Sequence, residues 1–270
     1  MLVMKVKSPS KLNLHLEVLR KRTDGYHDLR SAIQLIDFYD DMEFKIIKNN
    51  IVLNDQLDIK NNIVMQAATQ MSKFLKKPRG IEIDIKKNVP IGGGMGGGSS
   101  NAATTLLVLN KIWDINLSIS DLQKVAIKLG SDVPIFVSSK NSWVQGKGEI
   151  LEEIELKERW FLLFFPEVKI FTKDAFSRLS YFPENPISKD QFIEGKSLNC
   201  FTNQILSDHK EIKLLFEKLE EFGSPKLTGT GSTVFLEFGN LSEATKIKNK
   251  IEAGLLTKSI EHSPLKPLIE

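Results

Sequence analysis

The stretch "VPIGGGMGGGSSNAAT" constrains this chain more than any other: glycine fills six of the seven positions from Gly92 to Gly98, and helix-forming sequence follows at once. Glycine adopts positive φ and permits close backbone approach that a Cβ forbids. A flexible linker or a tight-packing loop is the plain reading. A glycine-rich turn that opens a helix supports a sharper one, because it presents unobstructed amide hydrogens at the positive end of a helix dipole, which is an anion site suited to phosphate. Two familiar labels do not fit. Gly92, Gly94 and Gly97 satisfy G-x-G-x-x-G only because glycine meets any spacing here. The dinucleotide reading also needs an acid closing a second strand roughly 20 residues on, whereas Asp114 and Asp121 fall beside a loop and a helix start. Gly98-Ser99-Ser100 stands where a P-loop requires Gly-Lys-Ser/Thr.

Around the loop the pattern is mixed α/β. "SKLNLHLEV" alternates Leu12, Leu14, Leu16 and Val18 against Lys11, Asn13, His15 and Glu17, which predicts a half-buried strand with a solvated polar face. In "KRTDGYH", Asp24-Gly25 signals a turn that leaves Tyr26 and His27 at a surface bend. "DDMEFKIIK", "NNIVLN" and "GIEIDIKKNVP" read as strands and "NNIVMQAATQMSKFLKK" as a helix. Ser99 or Ser100 can cap the helix through "NAATTLLVLNKIW", and Ser120 with Gln123 fits a capping box for a helix stopped at Gly130. "SDVPIF" then leads into a buried strand and "WVQGKGEIL" reads strand-turn-strand. Beyond Ile154 the pattern restarts with strand "WFLLFFP", helix "SDHKEIKLLFEKLEEFG", turn "TGTGS", strand "TVFLEF" and helix "SEATKIKNKIEAG", so the boundary between residues 1–154 and 155–270 is placed there.

Composition excludes several classes. Lys and Arg exceed Asp and Glu by 37 to 34, too weak and dispersed an excess for a nucleic-acid footprint. One cysteine, Cys200, and four histidines offer neither a disulfide framework nor zinc-type spacing, which suits a reducing cytoplasm. The start lacks the charged-then-apolar order of a signal peptide, and "WFLLFF" is far short of a membrane span.

If the loop holds ATP phosphates, phosphoryl transfer needs a positioned acceptor hydroxyl, charge neutralisation and a carboxylate for the hydroxyl proton. Asp132, between the Gly130 helix stop and Val133-Pro134-Ile135-Phe136, is the candidate carboxylate; its bland reading is a cap or turn residue. Lys11 and Asn13 are side by side on the first strand. A lysine near Asp132 would keep the carboxylate ionised, whereas alone on the strand it is a solvated side chain. Tyr26, His27 and Phe176 offer aromatic faces for a planar base, although each separately reads as a packing residue.

"SPSKLNLHL", "RTDGYHDL", "VPIGGGMGGGSSNAAT", "LGSDVPIF", "GKGEIL" and "LTGTGSTVFLEF", in this order, resemble the GHMP kinases over residues 7 to about 240. The resemblance implies an α+β chain of two domains, a ribosomal-protein-S5-like α/β domain over 1–154 and a ferredoxin-like α/β sandwich over 155–270, with the active-site cleft between them. It implies ATP and Mg²⁺, with unknown metal ligands and an open oligomeric state. Lys-Leu-Asn followed by Asp-Gly-Tyr-His points within the family to phosphorylation of the tertiary 2-hydroxyl of a cytidine diphosphate conjugate of methylerythritol. It further implies Asp132 as base with Lys11 assisting, and Asn13 at the substrate. Tyr26, His27 and Phe176 would clasp the cytosine, with Thr172 near the substrate's polar end. Gly92, Gly93, Gly94, Gly96, Gly97, Gly98, Ser99 and Ser100 would cradle the triphosphate, and Asn62 and Lys87 would lie toward the adenosine. Gly229 to Ser232 match the family's third motif. Ser10, Ile135 and Phe171 depart from the usual pattern. A kinase for another small alcohol, of the homoserine or mevalonate type, needs no cytosine clasp, and a non-catalytic nucleotide-binding module would need neither Asp132 nor Lys11.

Overall fold

The structure is a computed structural model and describes residues 3–55, 61–179 and 182–269. The alternating amino-terminal sequence forms two long antiparallel strands, β1 (Val3–Lys21) and β2 (His27–Ile47), joined at the Asp24-Gly25 turn, where the Arg22 amide donates to the Tyr26 carbonyl at 2.8 Å. The length of β2 lets it serve further neighbours: residues 41–47 pair with β4 (Gly80–Lys86) and 29–33 with β5 (Ser142–Gly146). β3 (Ile51–Asp55) adds parallel to β4, and β6 (Ile150–Glu153) antiparallel to β5, completing a six-stranded sheet. Helices α1 (Ile63–Ser72), α2 (Gly97–Ile112), α3 (Ile119–Leu129) and α4 (Val133–Ser138) bring Val64, Ala67, Leu106, Leu122 and Phe136 into one buried cluster with Phe44, Ile81 and Ile83 of the sheet.

The second half is a four-stranded antiparallel sheet, in the order β10-β7-β9-β8, made of β7 (Trp160–Phe164), β8 (Lys226–Leu227), β9 (Val234–Phe238) and β10 (Leu255–Lys258). Between β7 and β8 come α5 (Thr172–Ser177), α6 (Lys189–Ile193), α7 (Thr202–Asp208) and α8 (Lys210–Glu220), and α9 (Leu241–Ile251) follows β9. Ile205, Ile212, Phe216 and Ala244 from α7, α8 and α9 share a core with Leu162, Leu236 and Phe238 of this sheet and, notably, with Leu16 and Val18 of β1. A third cluster ties the halves together, joining Leu12 and Leu14 to Phe161, Leu163 and Phe235 and to Val89 and Met95 on either side of the first glycines. The chain end returns to the first half: Leu265 is buried in its core, and Lys111 Nζ donates to the Pro267 carbonyl at 2.9 Å.

Several local expectations need correction. The polar face of β1 is not solvated, since Lys11, Asn13, His15 and Glu17 are all buried. Segments from elsewhere close over it. The Lys11 amide donates to Met95 O of the glycine loop at 3.1 Å, and residues 198–200 bridge to Leu16, leaving the Leu198 amide to donate to His15 Nδ1 at 3.3 Å. "SDVPIF" enters a helix, not a strand. Val133 to Val137 are buried on every side, which removes the polar stripe that marks a helix, while Pro134 in the first turn fits one. α2 starts at Gly97 with left-handed Gly96 as its cap, so Ser99 and Ser100 lie inside its first turn; α3 is capped by Ser118, which accepts from the Asp121 amide at 3.1 Å, rather than by Ser120. The "SDHKEIKLLFEKLEEFG" helix is broken at His209, whose extended backbone separates α7 from α8.

Candidate active site

The glycine run answers two demands at once. Gly92, Gly94 and Gly96 have φ of +75°, +74° and +72°, the left-handed region that favours glycine. At Gly94 a Cβ would stand 2.2 Å from the Thr228 carbonyl oxygen, and at Gly96 2.9 Å from the Phe136 ring. The close neighbour of these two positions is therefore the chain itself. At Gly92, by contrast, a Cβ would meet nothing within 4 Å, and at Gly98 only Ile63, at 4.0 Å. These positions open onto a cleft of about 520 Å³ between the two halves of the chain. Helix geometry leaves the amides of the first turn of α2, Gly97 to Ser99, without intrahelical acceptors at the wall of that cleft.

The same cleft gathers most of the residues singled out in the sequence: Lys11, Asn13, Asn62, Lys87, Gly92, Gly93, Gly94, Gly96, Gly97, Gly98, Ser99, Asp132, Thr172 and Phe176 all line it. Ser100 does not, because it is fully buried with its hydroxyl against Ser8 Oγ at 2.8 Å, behind the helix mouth. Tyr26 and His27 also stand outside the lining, but the His27 ring lies 5.1 Å from that of Phe176, so His27 forms the next layer of that wall. Tyr26 is 52% exposed, with the Lys147 ammonium 4.6 Å above its ring. Burial, and then the charge of Lys21, push His27 below the usual histidine pKa, so its imidazole is neutral near pH 7.

Lys11 is the centre of the site. Its ammonium donates to Asn13 Oδ1 at 2.5 Å and to the Gly94 carbonyl at 2.8 Å, and lies 3.6 Å from Asp132 Oδ2. Burial holds this amine below its usual pKa, opposed by the charge of Asp132 and by its hydrogen bond. Asp132 occupies the cap position of α4 but makes no side-chain capping bond, and its side chain is 43% exposed. The bland reading of Asp132 as a helix cap therefore fails, and its carboxylate faces both the ammonium and the open cleft. Asn13 is fixed by a bond from Nδ2 to Ser31 Oγ at 2.8 Å and by its amide donating to Thr228 Oγ1 at 3.0 Å.

At the other end Asn62 caps α1, accepting from the Val64 amide at 2.9 Å and donating to Asp55 at 2.6 Å, while Lys87 pairs with Asp40 and donates to Asn101 Oδ1 at 3.0 Å. Thr230, within the third motif, also lines the cleft, its hydroxyl 3.3 Å from that of Thr172. Sequence reasoning did not find Ser31 and Asn101, which line the cleft, or Thr228 and Asp40 behind it; of these only Thr228 had a signal, its place at the start of the "TGTGS" turn. Among the described residues no group of three or more His, Cys, Asp or Glu is arranged to hold a metal ion, and no helix is long and apolar enough to cross a membrane.

Comparison with known proteins agrees with this geometry. The GHMP kinase N-terminal domain family matches residues 62–140, and the GHMP kinase C-terminal family matches 188–255. A 4-diphosphocytidyl-2-C-methyl-D-erythritol kinase of Acinetobacter baylyi is 39% identical over 243 residues, covering 87% of each chain. One of Buchnera aphidicola is 39% identical over 274 residues, covering 96% of this chain and 94% of the relative. A crystal structure of 4-(cytidine 5'-diphospho)-2C-methyl-D-erythritol kinase superposes with a TM-score of 0.82 at 25% identity, covering 95% of this chain and 98% of the other. The fold is that of an ATP-dependent small-molecule kinase of the GHMP class. The chain belongs to the GHMP kinases and, within them, to the 4-diphosphocytidyl-2-C-methyl-D-erythritol kinase family.

Proposed function

We propose that the chain transfers the γ-phosphoryl group of ATP to the 2-hydroxyl of 4-diphosphocytidyl-2-C-methyl-D-erythritol, a step of the non-mevalonate route to isoprenoid precursors. The observation that carries the reading is the Lys11–Asp132 pair, 3.6 Å apart and set in one cleft with the open helix mouth of α2. Asp132 accepts the hydroxyl proton as the alcohol oxygen attacks the γ-phosphorus; the bond from that phosphorus to the bridging oxygen breaks, and ADP leaves with the electron pair. Lys11 favours the ionised carboxylate and offsets the negative charge gathering at the attacking oxygen. The amides of Gly97 to Ser99, at the positive end of the helix dipole, receive phosphate oxygens. Asn62 would lie toward the nucleoside of ATP, and Lys87, beside the first residue of α2, between that nucleoside and the phosphates. Phe176, backed by His27, would give the cytosine a stacking face with Tyr26 closing over it, and Thr172 would meet the polar part of the alcohol. On this reading residues 1–154 and 155–270 act as two domains about the cleft, in a cytoplasmic enzyme without a nucleic-acid partner.

Magnesium fits this donor set. The ion keeps several waters and binds largely through substrate phosphates rather than a protein cage, and Ser99 would supply a hydroxyl oxygen to it on the cleft wall. When bound it neutralises the β- and γ-phosphate oxygens.

The direct test is incubation with ATP, Mg²⁺ and the diphosphocytidyl substrate, followed by phosphorus NMR. A new phosphomonoester resonance is expected, and its absence overturns the reading. Homoserine and mevalonate run in parallel separate this substrate from the other alcohols of the family. Competitive inhibition by CMP or CDP against the alcohol substrate is expected, since neither of those alternatives needs a cytosine site.

A further inference from the structure

We infer that Asp40 is a positioning residue for ATP: it ties together the two ends of the glycine loop and pins Lys87 in the cleft wall. The inference rests on the kinase reading above and extends it to a residue that does not touch the cleft. Asp40, on β2, is completely buried. One of its carboxylate oxygens accepts from the backbone amides of Asn88 and Val89, both at 2.8 Å, where the chain leaves β4 for the loop. The other accepts from Lys87 Nζ and from Asn101 Nδ2 at 3.0 Å, on α2. Asn101 returns its own Oδ1 to Lys87 Nζ at 3.0 Å. A single carboxylate is thus satisfied by donors from both flanks of the glycine run.

The need for such a clamp follows from the loop's composition. Glycines at positive φ have little conformational preference of their own, so the span from Val89 to Asn101 is fixed by what holds its ends. The clamp also decides where a charge sits. Lys87 Nζ stands 3.2 Å from the point where a Cβ would project at Gly97, the first residue of α2, so Asp40 and Asn101 keep an ammonium beside the open amides. A buried ion pair is in general a poor source of net stability. Its consequence here is geometric.

The test is Asp40→Asn, which keeps the shape and one acceptor but turns an amide donor toward the donors of Lys87 and Asn101. The dissociation constant for ATP, titrated calorimetrically with Mg²⁺ and no alcohol, is expected to rise about tenfold, the scale of one lost charge-assisted hydrogen bond. KM for ATP should rise in parallel, while kcat at saturating ATP and KM for the alcohol stay within about twofold, a split that general loosening of the fold would not produce. ATP affinity within about twofold of the unaltered protein, or rises in the dissociation constant and both KM values matched by an equal fall in kcat, overturns the inference. If Asp40→Asn does not melt cooperatively, Asn101→Ala tests the same clamp from the α2 side. A smaller loss of ATP affinity is expected there, and none overturns the inference. Because ATP binding is read without the alcohol, an unaltered protein that bound ATP yet left the alcohol unphosphorylated would sink the substrate assignment alone.

Discussion

The two ends of the cleft are built on opposite plans. At the end where Lys11 faces Asp132, Lys11 and Asn13 are buried polar groups, each bonded to partners that are themselves held. At the end proposed for the cytosine, Tyr26 is 52% exposed, Phe171 beside Thr172 is 67% exposed, and His27 meets Phe176 through tilted rings rather than hydrogen bonds. The chemistry of each end accounts for the difference. Stabilising charge that develops during phosphoryl transfer requires donors fixed beforehand, because donors that must reorient give back much of what they contribute. A pyrimidine ring is held by faces, and faces tolerate sliding. Damage at the first end should therefore appear in turnover and at the second in affinity.

The largest expected effect tests the first half of that division. Asp132→Asn keeps the side-chain volume but removes the base, and kcat should drop by at least about 10²-fold, the usual contribution of a positioned base. ATP affinity should persist, because the helix-mouth amides are untouched. Turnover near that of the unaltered protein would take Asp132 out of its role and break the comparison.

Phe176→Ala tests the other half. KM for the cytidine substrate should rise about tenfold, within the range measured for loss of one base-stacking face, with kcat nearly unchanged. The neutral state of His27 adds a pH signature. Its pKa lies below 6.5, so KM for this substrate should rise only as pH falls through that lowered value, and His27→Asn should flatten the acidic rise. A fall in kcat with KM unmoved in Phe176→Ala would mean that the aromatic end is as rigidly coupled to the chemistry as the lysine end.

Lys11 gives a subtler test, because activity and stability should move in opposite directions. Burial lowers its folded-state pKa below 10.5. Between that lowered value and 10.5 the unfolded chain binds more protons than the folded one, so this group makes stability rise with pH across the window. Activity should fall across the same window as the ammonium is lost. A pH–kcat profile and melting temperatures in matched buffers check it; an alkaline loss of kcat that begins only above 10.5 would remove Lys11 from the charge balance of the reaction.

Much of this arrangement was legible in the sequence, and what was not has identifiable causes. The glycine run, the strand alternation of β1, the Asp24-Gly25 turn and the segments joining them are local patterns, and local patterns survive folding. Burial of Lys11 and Asn13 was not legible, since the residues that close over them, Met95 and Thr228, lie far along the chain from β1. The α4 helix was hidden because it is apolar all round. Asp40 was invisible for a related reason: within "IDFYDDM" nothing distinguishes it from Asp37 or Asp41, and only the fold brings Asn88, Val89 and Asn101 onto its oxygens.

The smallest expected effect separates the two uses of glycine within the loop itself. Gly92 and Gly94 share a positive φ, so alanine at either position should cost about 1–2 kcal/mol of backbone strain. At Gly94 the new methyl would also strike the Thr228 carbonyl, 2.2 Å away, and push the third motif off β1, so its melting temperature should fall well beyond that strain. At Gly92 the methyl would enter open space, and the melting temperature should fall only by about the few degrees that this strain entails. Any loss of ATP affinity in Gly92→Ala must then come from the ligand meeting the methyl rather than from a displaced neighbour. A several-fold rise in the ATP dissociation constant, with melting lowered no further than that, would place phosphate against that backbone. Affinity left intact would mean that Gly92 serves the turn alone, and that the phosphates sit deeper, against Gly97 and Gly98 at the helix mouth.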